Sequence, residues 1–159
     1  MSGLIQTQSE VITATPTIST SIYASGDQLG GVMTITKAIR AGSATSLLQA
    51  ITICEKGTQK AAMDIVFFHT DPTSVITSVD NGVFAITAAN VAAYVLGYTT
   101  ISTSDWITVG SGAVASVRNI GGLHKPVSGQ DIYAAVIVRG TPTYASTSDL
   151  TFRFKYLQD

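Results

Sequence analysis

Few residues of the chain have the types and spacing that chemistry requires, and the first of them are grouped in His69-Thr70-Asp71. Side chains two positions apart on a strand lie on one face of a sheet, so His69 and Asp71 have the spacing of two metal ligands. A metal site needs at least a third ligand, and His124 is the only other histidine. Pro72 indicates that the strand ends here. We therefore expect a loop histidine beside a turn-forming aspartate, with no metal or other cofactor.

Catalytic motifs are equally sparse. The nucleophile elbow Gly-x-Ser-x-Gly does not occur, and glycosidase chemistry needs two facing carboxylates. Asp64 is the most interesting acid because it interrupts the apolar run Met63–Phe68, but alternation along a strand predicts a surface position for it. Cys54 ends an apolar stretch, as a small hydrophobic residue does, and a single cysteine excludes an internal disulfide. We expect that the protein is not an enzyme.

A carbohydrate-binding site is the alternative that the aromatic residues allow. Trp106 follows Asp105, and an indole can stack on a sugar ring. Tyr144 is a second candidate for a glycan contact. In this alternative the chain is a carbohydrate-binding β-sandwich module. A lone tryptophan in a β domain is more often part of the core, so this is the second hypothesis.

The composition limits the partners and describes the surface. Nine basic and ten acidic residues among 159 give a net charge of −1, which argues against nucleic-acid or membrane binding through clustered basic charge. Charged residues are 12% of the chain, about half of the usual share, while threonine and serine number 22 and 16. A neutral, hydroxyl-rich surface is poor at keeping copies apart. We therefore expect a homo-oligomer, or a subunit whose outer faces contact other chains.

The elements that must position these residues are mostly short strands. Residues 150–157 alternate most clearly, with Phe152, Phe154 and Tyr156 on one face and Thr151, Arg153 and Lys155 on the other. The apolar run 63–68 predicts a strand that is buried on both faces or central in its sheet, and the run 132–138 predicts a strand that is covered on both faces. The polar turn 55–60 predicts a hairpin between strands 47–54 and 63–69. The other predicted strands cover 29–36, 106–109 and 113–119.

One short helix is predicted at 88–96, with Thr87 as its N-cap and Gly97 just past its end. Val91 and Val95 would pack it onto a sheet. About eight short strands with frequent turn signals predict an all-β protein, an antiparallel β-sandwich of the jelly-roll type. An immunoglobulin-like sandwich is the second choice, and its Cys…Trp…Cys pattern is absent.

The first twenty residues differ in composition from the rest of the chain. Residues 1–20 are polar and threonine-rich, with Glu10 as their only charge, and they predict an extended N-terminal arm ahead of a single domain at 21–159. The arm would be an edge strand or a tail lying on a neighbour. Six of its residues are the candidates for contact with a partner: Leu4, Ile5, Val11, Ile12, Thr15 and Pro16.

Several segments carry a resemblance to a known family. They are Tyr23–Gly31, Ala38–Arg40, Glu55–Asp64, Phe67–Thr73 and Arg139–Leu150, with Leu157-Gln-Asp159 at the end. Together they resemble a family of small proteins encoded in tailed-bacteriophage genomes, often among the virion structural genes. The resemblance covers roughly residues 15 to 159.

This resemblance implies a role in the virion. Where a role is suggested for the family, it is that of a minor head or capsid decoration protein, so the expected function is a cement protein that binds the assembled head and bridges capsomers. In the alternative, the carbohydrate-binding module is displayed on the virion for host recognition, on a head fibre or a tail. The expected partners are the major capsid protein or other virion proteins. No signal sequence is recognisable at the N-terminus, and we expect synthesis in the host cytoplasm and a final location in the virion.

Overall fold

The computed structural model describes residues 8–158. Nine strands and one α-helix follow in order: β1 Gln8–Ala14, β2 Gln28–Ile35, β3 Ser46–Glu55, β4 Met63–Phe68, α1 Ala88–Tyr94, β5 Val95–Ile101, β6 Trp106–Val109, β7 Gly112–His124, β8 Ile132–Val138 and β9 Leu150–Gln158. A single 3₁₀ turn, Thr103–Asp105, precedes β6.

The strands form two antiparallel sheets. One has five strands in the order β1-β9-β3-β7-β6, and the other has four in the order β2-β8-β4-β5. The chain changes sheet at each step from β1 to β4 and again from β7 to β9, which is the double Greek key of a jelly roll. The predicted all-β fold, an antiparallel sandwich of the jelly-roll type, is confirmed.

The main core lies between the two sheets and follows from the alternation of the strands. Phe152, Phe154 and Tyr156 of β9 are fully buried, as their spacing predicts. Ile51 stands opposite Phe154 in the five-stranded sheet, and the ring of Phe67 on β4 meets that of Phe154 edge-on with centroids 6.1 Å apart. These contacts fix the relative position of the sheets.

A second, smaller core lies on the outer side of the four-stranded sheet. Phe68 of β4 and Ala135 of β8 point away from the main core and are nevertheless fully buried. Ile76, Phe84 and other apolar residues of the connection 69–87 pack over them. The apolar runs of β4 and β8 were expected to be covered on both faces, and this segment is the cover.

The predicted helix at 88–96 is two residues too long. The helix ends at Tyr94, and its C-cap Val95 has an extended backbone. Residues 95–101 pair with β4 instead, because a ladder of backbone hydrogen bonds to a buried strand outweighs one more helical turn. The helix buries none of its residues, and Val91, which was expected to pack onto the sheet, is 43% exposed.

The predicted hairpin between the strands at 47–54 and 63–69 is also wrong. β3 pairs with β7 and β9, whereas β4 belongs to the other sheet. The turn passes over the end of the sandwich, where the carboxylate of Glu55 accepts hydrogen bonds from the amides of Gln59 and Lys60. A turn signal fixes a change of direction and not the sheet that the next strand joins.

The ninth strand comes from the predicted arm. Gln8–Ala14 pairs with β9 along its whole length and forms one edge of the five-stranded sheet. Pro16 and Ile18 then enter the interior. Residues 1–7 lie outside the described part of the chain, and the division into an arm at 1–20 and a domain at 21–159 stays a prediction.

Candidate interaction surfaces

The outer side of the five-stranded sheet has no cover from the described chain, and we call it the open face. Its residues occupy the strand positions that alternate with the core. They come from all five strands: Ser9, Val11 and Thr13 of β1; Thr151, Arg153, Lys155 and Leu157 of β9; Leu47, Ala50, Thr52 and Cys54 of β3; Val114, Ser116, Arg118 and Leu123 of β7; and Ile107 and Val109 of β6.

The register arranges these side chains in rows across the strands. Leu47 stands opposite both Leu157 and Leu123, which gives an aliphatic row over three strands. The next row places Ala50 between Lys155 and Arg118. Neighbouring strands are about 4.8 Å apart, so the backbones of Lys155 and Arg118 are separated by roughly 10 Å, with the small side chain of Ala50 between them.

Apolar residues at the edges of the open face are well exposed. Val11 on β1 is 53% exposed, and Ile107 and Val109 on β6 are 63% and 55% exposed. Leu123, at the end of the aliphatic row, is 65% exposed. Their spacing around the sheet gives a mixed surface of aliphatic and hydroxyl groups.

The charges of the open face are all positive. Arg118, Arg153 and Lys155 occupy outward positions, and no carboxylate does so on these strands between residues 8 and 158. The guanidinium of Arg153 donates to the sulfur of Cys54 at 2.8 Å. Arg118 and Lys155 form no ion pair within the part of the chain that the structure describes. No carboxylate between residues 8 and 158 therefore neutralises Arg118 or Lys155 through an ion pair.

The acidic residues lie at other positions, mostly in turns and loops, with Asp64 on β4 at the outer side of the other sheet. Of the nine between residues 8 and 158, eight accept hydrogen bonds from backbone amides or side chains and so hold local structure. For example, Asp149 binds the amides of Ala145 and Ser146. The full set is Asp27, Glu55, Asp64, Asp71, Asp80, Asp105, Asp131 and Asp149. This separation explains how a chain of net charge −1 presents a positive face.

A groove of about 530 Å³ lies on the opposite side of the molecule, and we call it the outer groove. Val66 and Phe68 of β4, Val95 of β5 and Ile137 of β8 form its floor, while Val91 of α1 and residues 84–86 stand over it. Tyr98, Thr100, Asp64 and Arg139 complete its lining. It is the space that the cover of the four-stranded sheet leaves unfilled.

A third concavity borders β1. It is about 600 Å³ in volume and is lined on one side by Glu10, Val11 and Ile12 and on the other by Lys37 and Ile39. The free edge of β1 lies beside it. A strand edge with unpaired amides and carbonyls is a template for pairing with another chain.

The structure separates the six arm residues that were predicted to contact a partner. Val11 and Thr15 are exposed, and Ile12 is half-buried on the inward side of β1. Pro16 is buried against Gly30, where an added Cβ would lie 2.8 Å from the Cβ of Pro16. Leu4 and Ile5 lie outside the described residues. The partner role of these six residues stays a prediction.

The two proposed glycan contacts are core residues. Trp106 is 6% exposed, and its indole N–H donates to the carbonyl of Ala61 at 3.1 Å. Tyr144 is 3% exposed and packs edge-on against Tyr23 with ring centroids 6.0 Å apart. Burial raises the pKa of the Tyr144 phenol. Neither ring has a face open to a sugar in this structure.

The residues considered for metal or catalytic chemistry do not come together. The ring of His69 stacks on Tyr94, and Asp71 accepts a hydrogen bond from the amide of Thr73, as a turn-forming aspartate does. His124 is buried between the sheets, beside Phe67 and 2.8 Å from the hydroxyl of Tyr156. No group of three metal-ligating side chains occurs within residues 8–158.

His124 is nevertheless electrostatically unusual. Burial lowers the pKa of its imidazole to about 4, because the charged form would lose its hydration. The same burial raises the pKa of its partner Tyr156. The pair is therefore uncharged at neutral pH and acts as a core contact between the two sheets.

Sequence reasoning missed the surface residues that matter most here. The outward positions of Arg153 and Lys155 were recognisable from the alternation in β9. Arg118 and Tyr98 were not recognised, because their relation to neighbouring strands depends on the register. Only the pairing of Ala50 with both β9 and β7 shows that Arg118 belongs to the same row as Lys155.

Comparison with known proteins identifies no family for this chain. No family model matches the chain, and no curated protein matches it. A solved structure titled Desmodium yellow mottle tymovirus is similar over 96% of this chain and 81% of that chain, at 10% identity and a TM-score of 0.27. This similarity is too weak to carry a functional conclusion. Within residues 8–158 no helix has the length and apolar character of a membrane span.

Proposed function

We propose that the protein is a non-enzymatic virion structural protein, a capsid decoration or cement protein that binds the assembled head through its open face and bridges neighbouring capsomers. The resemblance to a family of phage virion proteins motivates the particle as the target. The open face is the observation that carries the proposal, because it is a whole sheet face with exposed apolar residues and no cover from residues 8–158.

The charge of the face defines its partner. Arg118, Arg153 and Lys155 carry positive charge without a carboxylate among the outward positions of the same strands. Complementary charge suppresses wrong partners and fixes the docking position. The partner surface, on the major capsid protein or another virion protein, is therefore acidic, with hydroxyl and aliphatic groups to match the rest of the face.

The size of the face bears on how many contacts each copy makes. Its five strands contain 43 residues, and at about 3.3 Å per residue and 4.8 Å between strands they present roughly 700 Å² of projected area. A stable interface usually takes about 800 Å² from each partner. A copy that bridges two capsomers divides this face between two smaller contacts, and avidity then raises the overall affinity. A protein that binds the assembled shell and not its free subunits then stabilises the shell by mass action.

The test uses particles of the virus that encodes this chain, assembled without it. The purified protein is mixed with these particles and bound protein is measured after sedimentation at low and moderate salt. We expect saturable binding, and we expect Lys155→Glu to weaken it at least about tenfold at low salt because a cation in a complementary interface becomes an anion. Lys155→Gln should bind with an affinity between those of the original protein and Lys155→Glu, because it removes the cation without adding an anion.

Lys60→Glu is the matched control. It makes the same change of charge in the loop between β3 and β4, away from the open face. Its binding should equal that of the original protein, and light scattering should show an unchanged oligomer for every variant. If the original protein fails to bind particles, the cement function is wrong. If it binds but Lys155→Glu binds equally well, the open face is not the docking surface.

A further inference from the structure

The outer groove has a polar end whose groups are held in a fixed arrangement. The carboxylate of Asp64 accepts hydrogen bonds from the Thr100 hydroxyl and from the Arg139 Nε–H, both at 2.7 Å. Asp64 lies on β4, Thr100 lies on β5, and Arg139 directly follows β8, so the four-stranded sheet sets their spacing. The side chain of Arg139 is 47% exposed, which leaves its terminal N–H groups accessible from solvent.

This polar cluster is neutral as a whole. The Asp64 carboxylate and the Arg139 guanidinium form an ion pair, so neither an anion nor a cation meets an unbalanced charge there. Guanidinium N–H groups donate, carboxylate oxygens accept, and a threonine hydroxyl does both. Such a set suits a neutral ligand that carries several hydroxyl groups.

An exposed aromatic ring stands next to the cluster. Tyr98 on β5 is 72% exposed, is paired with Val66 across the sheet and lines the groove. An aromatic face packs against apolar C–H groups, while the phenolic tip stays wet. A sugar ring has this dual character, with C–H groups on its faces and hydroxyls around its rim.

The rest of the groove fits a ligand of modest size. Its volume of about 530 Å³ lies within the usual range of roughly 300 to 1,000 Å³ for ligand sites. The floor is apolar, with Val66, Val95 and Ile137, and the polar groups are confined to the end beside Tyr98. An apolar floor with a few convergent polar groups is the usual composition of a ligand pocket.

We infer that the outer groove is a binding site for a neutral oligosaccharide, with Tyr98 stacking on a sugar ring and Asp64, Arg139 and Thr100 binding its hydroxyls. The site is independent of the open face, because the two lie on opposite outer sides of the sandwich. A copy docked through the open face therefore presents this groove away from the surface to which it binds.

The experiment is a titration of the full chain with three neutral trisaccharides, maltotriose, mannotriose and triacetylchitotriose, followed by amide chemical shifts. At least one should shift the amides around Tyr98, Thr100 and Arg139 in a saturable way and leave those around Ile107 unchanged. Tyr98→Ala should weaken this binding at least about tenfold, because it removes the ring that packs on the sugar. Tyr98→Phe keeps the ring and should retain binding.

The outcomes are distinct from those of the particle assay. Tyr98→Ala should bind particles normally, and Lys155→Glu should bind sugar normally, so each proposal can fail alone. The inference is overturned if none of the three sugars shifts the groove amides, or if Tyr98→Ala binds as well as the original protein. Stronger binding of the acidic sugar trigalacturonate than of any neutral one would overturn the neutral character of the site.

Discussion

The two sheets of the jelly roll differ in whether the chain covers their outer side. On the four-stranded sheet, outward residues such as Phe68 and Ala135 are fully buried beneath the connection 69–87. On the five-stranded sheet, outward residues are threonines, serines, cations and scattered aliphatic side chains, and nothing in the described chain covers them. Residues of both sheets form the central core, so the difference arises outside it.

This difference follows from the types of residue at the outward positions of the strands. An aromatic residue such as Phe68 in the solvent would expose a large apolar surface, and covering it yields about 25 cal/mol for each Å² removed from water. Threonine, arginine and lysine at the equivalent positions of β3 and β9 gain little from a cover. Burial of apolar surface therefore stabilises a long loop folded over the four-stranded sheet, whereas a loop folded over the five-stranded sheet would gain little.

The largest test of the comparison is to truncate matched side chains on the two faces. Phe68→Ala should lower the free energy of unfolding by about 3–5 kcal/mol, because it removes a fully buried ring and leaves a cavity beneath the cover. Ile107→Ala, at an open-face residue that is 63% exposed, should change it by only about 0.5 kcal/mol. Denaturant unfolding of both variants measures the difference.

The pair has a clear contrary outcome. If the two substitutions cost the same, the cover over the four-stranded sheet would be only loosely packed in solution. A large cost for Ile107→Ala would mean that the open face is already buried in an oligomer, since an exposed side chain of a monomer has little to lose. Repeating the measurement at several protein concentrations separates these cases.

The next test concerns His124, which lies in the core between the two sheets. Burial lowers the pKa of His124 to about 4, against 6.5 for an exposed imidazole. Between these values the unfolded chain binds a proton that the folded protein does not, so the free energy of unfolding falls as the pH drops from 6.5 to 4. The loss attributable to His124 is about 3 kcal/mol and is complete below pH 4.

His124→Gln isolates this contribution. Glutamine can still hydrogen-bond to Tyr156 but does not titrate, so the slope of stability between pH 6.5 and 4 should decrease. The carboxylates that hold the turns also lose contacts in acid, and they do so equally in both proteins. An unchanged slope in the variant would show that the imidazole reaches solvent when it is protonated.

The sequence could predict the strands and the sandwich because these depend on local alternation. The buried triplet of β9 and the doubly covered runs of β4 and β8 follow from side-chain period and apolar content alone. Sheet membership does not, since the turn after β3 is equally compatible with a hairpin and with a crossing to the other sheet. For the same reason the row that joins Lys155 to Arg118 required the register, and the burial of Tyr144 required knowledge of its neighbours.

The smallest effect tests what holds the cover in place. Near the end of the connection 69–87, one carboxylate oxygen of Asp80 accepts hydrogen bonds from the Tyr23 hydroxyl and from the Gly30 amide, both at 2.6 Å. Asp80→Ala leaves these two groups without their charged acceptor and should cost about 2 kcal/mol. Asp71→Ala removes a carboxylate from the same connection that binds only the exposed Thr73 amide, and it should cost about 0.5 kcal/mol. Hydrogen exchange should then rise at Ile76 and Phe84 in the Asp80 variant alone. Equal exchange in both variants would mean that apolar contacts with Phe68, and not this carboxylate, keep the four-stranded sheet covered while the five-stranded sheet stays open.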